Sequence, residues 1–127
     1  MVTGIEHVAI ASPDPERLAQ WYAEMLGFAV NYRSSTSRTV FVKAPDGSMI
    51  EIVEATGASG AAAGMSSPGL RHLALTVPDF EVACRQLKER GIPFLSEPTS
   101  KAGNSIVFFA DSDGNLLHLL HRETPLP

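Results

Sequence analysis

The sequence predicts an α+β fold built from two tandem βαβββ modules, and two observations carry that prediction. The first is an internal repeat. Moved by 65 positions, Ile5-Glu6-His7-Val8-Ala9-Ile10 falls on Leu70-Arg71-His72-Leu73-Ala74-Leu75, Pro13-Asp14 on Pro78-Asp79 and Glu16 on Glu81. Moved by 67, Val40-Phe41 falls on Val107-Phe108, Asp46-Gly47 on Asp113-Gly114, and Met49-Ile50-Glu51-Ile52-Val53 on Leu116-Leu117-His118-Leu119-Leu120. The second is periodicity: in each copy a strand-length apolar run precedes one helical stretch, and short β-rich runs follow it.

Ile5 to Ala11 reads as a strand, ending at Ser12-Pro13-Asp14-Pro15. Asp14 is placed to cap a helix whose first turn holds Pro15, where the missing N–H costs nothing. Leu18, Trp21, Tyr22, Met25 and Leu26 follow helical spacing, and Gly27 supplies the stop. Strands are expected at Phe28 to Tyr32, Thr39 to Lys43 and Met49 to Val53, the last two joined by a hairpin at Asp46-Gly47. The second copy repeats the order. It has a strand over Leu70 to Val77, a helix from Phe80 to about Arg90 capped by Asp79, and strands at Phe94 to Ser96, Ser105 to Ala110 and Leu116 to His121. Thr56 to Gly69 is dominated by Gly, Ala and Ser, as expected of a flexible link. The organisation is therefore module one over about 1–55, a linker over about 56–69 and module two over about 70–122. Each half alone is marginal in size, so the 127 residues are expected to form a single domain.

Composition narrows the function classes. The net charge of −4 and the absence of a Lys/Arg run beside aromatic residues argue against nucleic-acid binding. The apolar runs are strand-sized and no basic segment leads into a long apolar one, so neither a membrane span nor a signal peptide is expected. The expected location is the cytoplasm. Cys84 is the only cysteine, which excludes an internal disulfide and gives no support for a cysteine-based zinc site.

Alternate side chains of a strand share a face. Met49, Glu51 and Val53 thus point one way, while Ile50, Ile52 and Glu54 point the other. The same parity groups His118 with Leu116 and Leu120, His7 with Ile5 and Ala9, and His72 with Leu70 and Ala74, and it sends His121 to the opposite face. A lone histidine on an apolar strand is more often a hydrogen-bonded structural residue, and His121 is read that way. Four ionisable groups at matched positions of a repeat point instead to a metal, because such groups are costly among apolar neighbours unless paired or coordinated. Two curved four-stranded sheets facing each other would bring His7, Glu51, His72 and His118 around one cleft. Imidazole and carboxylate suit zinc, nickel, iron or manganese, and fewer than six protein ligands leave room for water or a small-molecule substrate. Lys101 and Asn104, placed in the loop before the Ser105 strand, are candidate contacts for an anionic substrate group. No Gly-x-Ser-x-Gly, phosphate-binding loop or dinucleotide fingerprint is present.

The motifs Ile5-Glu6-His7-Val8-Ala9-Ile10, Trp21-Tyr22 through Leu26-Gly27-Phe28, Asp46-Gly47 through Glu51, Gly69-Leu70-Arg71-His72-Leu73-Ala74 and Asp113-Gly114-Asn115-Leu116-Leu117-His118 cover almost the whole chain. With them the sequence resembles the vicinal oxygen chelate superfamily, the group of glyoxalase I, bleomycin-resistance proteins and extradiol dioxygenases. The resemblance implies a glyoxalase-like fold, a homodimer, and His7, Glu51, His72 and His118 as metal ligands. In bacterial glyoxalase I the last ligand is a glutamate that also moves the substrate proton, whereas this chain has His118. Those enzymes also carry an arginine for glutathione four residues after the first histidine, and here that position is Ala11, which argues against a glutathione hemithioacetal as substrate.

One carboxylate and three neutral imidazoles leave a divalent ion with a net charge of about +1, and so a stronger Lewis acid than two carboxylates would. The leading expectation is a metal-dependent lyase or isomerase acting on a small oxygen-rich molecule, with Glu51 and His118 as proton-moving groups. Two alternatives stand beside it. His7, His72 and Glu51 match the two-histidine, one-carboxylate set of iron(II) dioxygenases, and bleomycin-resistance relatives sequester a drug or metabolite without chemistry.

Overall fold

The structure is a computed structural model that describes residues 1–57 and 66–127. Most of the expected linker lies outside the described residues. The chain divides into two compact units, Met1–Gly60 and Ala61–Pro127, each holding a four-stranded mixed sheet and one helix.

In the first unit the order is β1 (His7–Ser12), α1 (Pro15–Leu26), β2 (Ala29–Arg33), β3 (Val40–Lys43) and β4 (Met49–Glu54). The Asp14 side chain accepts from the Arg17 N–H at 3.2 Å, Pro15 opens the helix, and Gly27 ends it in the left-handed conformation at φ 77°. The helix makes the crossover that lets β1 run parallel to β4, and the sheet order is β1-β4-β3-β2. The expected hairpin closes at Asp46-Gly47, where Ala44 N–H donates to Ser48 O and Gly47 N–H to Ala44 O. Strand parity then separates two faces. Val40, Val42, Ile50 and Ile52 are buried, as are Leu18, Ala19 and Tyr22 of α1, which packs on this sheet. Each fully buried apolar side chain contributes about 1.5–3 kcal/mol. His7, Ala9, Glu51 and Phe41 occupy the opposite, partly exposed face.

The second unit repeats the plan with β5 (Leu73–Thr76), α2 (Phe80–Glu89), β6 (Thr99–Lys101), β7 (Asn104–Ala110) and β8 (Leu116–Arg122), in sheet order β5-β8-β7-β6. Asp79 caps α2 by accepting from Val82 N–H at 2.9 Å. Cys84 and Leu87 of α2 are buried, as are Val107, Phe109, Leu117 and Leu119 of the sheet. The parity is again clear in β8, although His118 on its other face is itself only 6% exposed.

One strand lies elsewhere than the sequence predicts. Phe94 to Ser96 forms only an isolated bridge, Phe94 with Phe109, together with a Leu95 N–H to Phe108 O bond. Pro93 and Pro98 flank it, and residues that lack an N–H cannot extend a ladder. The edge strand is β6, joined to β7 by the two-residue turn Ala102-Gly103. Lys101 and Asn104 are therefore not loop residues: they are the paired ends of a hairpin. The first strand of the second unit is also shorter than expected, so His72 sits immediately before it. Among the described residues, no helix is long and apolar enough to cross a membrane.

Candidate metal centre

Each unit brings its own pair of candidate ligands together by the same geometry. In the first, Ala9 of β1 pairs with Glu51 of β4, and His7 stands two residues before Ala9. In the second, Ala74 of β5 pairs with His118 of β8, and His72 stands two residues before Ala74. On the next strand over, Phe41 pairs with Glu51 and Phe108 with His118. The repeat seen in the sequence is thus a repeat of strand register.

In the first unit His7 Nε2 lies 3.3 Å from Glu51 Oε2, with the two side chains 35% and 26% exposed. The other ring nitrogen, Nδ1, bonds to the Glu6 carboxylate. Both carboxylates only accept, so the charged ring donates from both nitrogens, and the neutral ring keeps its hydrogen on Nδ1 at the closer Glu6 contact and turns its Nε2 lone pair to Glu51. Two lone-pair donors aimed at one another need a cation or a proton between them. A proton is favoured there: the bond to Glu6 above all, then the charges of Glu6 and Glu51, hold the His7 imidazole above its ordinary value. The same electrostatics fit a divalent metal, since two donors at about 2.0–2.2 Å from a zinc-sized ion stand roughly 3 Å apart.

In the second unit the His72 and His118 rings lie edge to face with centroids 4.8 Å apart. Nδ1–H of His118 donates to the Leu119 carbonyl at 3.2 Å, which again leaves Nε2 as the free lone pair. Burial pushes the His118 imidazole below its ordinary value, and the neighbouring His72 and Arg122 add to that effect. That shift favours the neutral imidazole, the form a metal requires. Among the described residues, no group of three or more His, Cys, Asp or Glu able to hold a metal occurs. What the chain shows is two matched pairs.

His121 has the structural role expected of it, with Nδ1–H donating to Val77 O at 3.0 Å. Asn104 Oδ1 accepts from Arg122 Nη1 at 2.6 Å, and its amide nitrogen donates to Ala102 O. Asn104 pairs with Arg122, four residues along β8 from His118, so it lies roughly 13 Å along the strand from that donor. Lys101 is exposed at the same end.

Sequence reasoning missed four residues. Phe41 packs edge-on to His7 at 5.4 Å, and Phe108 lies 5.0 Å from His118 and 6.0 Å from His72. Their signal was present, because the 67-residue shift that matches Glu51 to His118 also matches these phenylalanines. Tyr32 reaches the Phe41 ring at 5.8 Å because a bulge between Val30 and Tyr32 resets the parity of β2, and nothing in the sequence announces a bulge. Glu6 carries no such signal: it precedes β1, which begins only at His7, and its repeat match is Arg71.

Two βαβββ modules in tandem, each presenting a pair of donors from equivalent register positions, define a class of duplicated-module proteins. The chain belongs to the Glyoxalase/Bleomycin resistance protein/Dioxygenase superfamily, whose model matches residues 4–119 and so spans all four candidate ligands. It is 31% identical over 120 residues to YwkD, an uncharacterized protein of Bacillus subtilis, covering 89% of this chain and 92% of that one. It is 29% identical over 119 residues to the mitochondrial methylmalonyl-CoA epimerase of Bos taurus, covering 86% of this chain and 67% of the enzyme. The crystal structure of a glyoxalase family protein from Enterococcus faecalis superposes with a TM-score of 0.78 at 28% identity, covering 94% of this chain and 98% of that one.

Proposed function

We propose that this chain is a divalent-metal-dependent isomerase or lyase acting on a small molecule that offers two neighbouring oxygens, with His7, Glu51, His72 and His118 as the metal donors. The observation that carries the reading is His7 Nε2 set 3.3 Å from Glu51 Oε2, with His72 and His118 at the equivalent register of the other module. Zinc, nickel, iron(II) or manganese bound there would supply Lewis acidity, lowering the pKa of a C–H beside a bound carbonyl.

The chain's own groups then move the proton. Glu51 Oε2 faces His7, and its other carboxylate oxygen is the general base. His118, kept neutral by burial, is the second proton-handling group and occupies the position in its module that Glu51 occupies in the other. An isomerase needs two such groups, one to remove a proton and one to return it. Similarity to a methylmalonyl-CoA epimerase supports isomerisation over carbon–carbon cleavage. Lys101 is assigned to a remote anionic part of the substrate, with Asn104 beside it on the same hairpin. By resemblance to the family, the working form is a homodimer.

The test uses protein purified without a metal-affinity tag. Elemental analysis should find about one transition metal per wild-type chain and little in His72→Ala, and the metal-loaded protein should exchange the C2 proton of methylmalonyl-CoA for deuterium with no need for oxygen. A wild type that holds no transition metal and takes none up would overturn the reading in favour of ligand sequestration, and turnover that consumes oxygen would replace it with dioxygenase chemistry.

A further inference from the structure

We infer that Glu6 is a positioning residue for metal binding: its carboxylate fixes His7 as the Nδ1–H tautomer and so makes Nε2 the ligating atom. This rests on the metal reading above. Side chains of consecutive strand residues point to opposite faces, but β1 starts at His7, so Glu6 is free of that alternation and its carboxylate curls round to the His7 ring. The ring is thereby held with Nε2 toward Glu51. A carboxylate behind a metal-bound imidazole orients the ring and raises its basicity.

The two modules differ here. The residue matched to Glu6 is Arg71, whose guanidinium donates to the carbonyls of Gly69 and Pro68. His118 has a main-chain partner instead, the Leu119 carbonyl. A neutral carbonyl orients a ring without adding charge behind it, so the two rings are held by different means: His7 by a carboxylate and His118 by the main chain. Glu6 acts through His7 and touches neither metal nor substrate.

The experiment is a titration of the chelator-stripped, untagged full chain with zinc(II) against a competing chelator. Glu6→Ala should bind roughly 10–100-fold more weakly than wild type, Glu6→Asp should recover part of the loss, and Glu16→Gln, which removes an exposed carboxylate paired with Arg33, should bind as wild type does. A second readout is the nitrogen-15 spectrum of the metal-free chain above the imidazole titration range. His7 should be the Nδ1–H tautomer in wild type and lose that preference in Glu6→Ala. Wild type that binds no zinc would defeat the proposed function itself. Wild type that binds zinc, with Glu6→Ala equal to it in affinity and tautomer, would overturn the role of Glu6 alone.

Discussion

Neighbouring groups decide what each imidazole of this chain can do. His121 donates to a main-chain carbonyl and is structural, His118 is buried and neutral, and His7 stands between two carboxylates that favour a cation. Charge placement elsewhere follows the same rule. Glu16 on α1 accepts from Arg33 on β2, and that guanidinium holds its carboxyl below the ordinary glutamate value. The folded chain therefore keeps Glu16 ionised where the unfolded chain has begun to protonate it. The stabilisation is complete above the ordinary value near 4.5 and is lost as pH falls through the lowered one. In urea unfolding, Glu16→Gln should be slightly less stable than wild type at neutral pH, the gap being small because the pair is exposed. That gap should narrow once pH falls below the ordinary glutamate value and close when the lowered one is passed, and a gap that persisted in acid would mean packing rather than charge. The pairing of His7 with Glu51 and of His72 with His118 was legible in the sequence because duplication wrote it twice. Glu6 and Tyr32 were not, since a strand start and a bulge are set by backbone geometry that no periodicity records.

At the level of elements, capping residues and period-two burial made both helices and most strands readable, and β6 shows where such reading stops. Its hairpin turns at Ala102-Gly103, with φ 52° and 74°. Positive φ at both central residues is the type I′ arrangement, normally announced by Asn-Gly or Asp-Gly. Alanine announces nothing, so the strand was sought in the more apolar Phe94 to Ser96. Ala102 is the sole non-glycine residue with positive φ among the described residues, and its Cβ crowds the following carbonyl there. Ala102→Asn should therefore stabilise the chain by about 1 kcal/mol, read as a higher urea midpoint with an unchanged denaturant slope. An unchanged midpoint would show that the turn relaxes to a shape in which alanine is unstrained.

For the whole molecule, duplication divides the proposed donor set evenly, two groups from each module. Catalytic zinc sites commonly use three protein ligands, so neither pair alone is expected to hold a transition metal tightly. A ligand that binds only the folded state adds about 2.7 kcal/mol at one hundred times its dissociation constant, a rise of roughly 10 °C in melting temperature for a domain of this size. Adding zinc to the stripped wild type should produce such a rise, and chelator should reverse it. His7→Ala and His72→Ala, in different modules, should each remove most of it, while the double variant should lose little more than either single one, because residues that serve one ion are not additive. Two half-sized losses that sum in the double variant would mean that each module binds its own ion, and the duplication would then have produced two weak sites in place of one strong one.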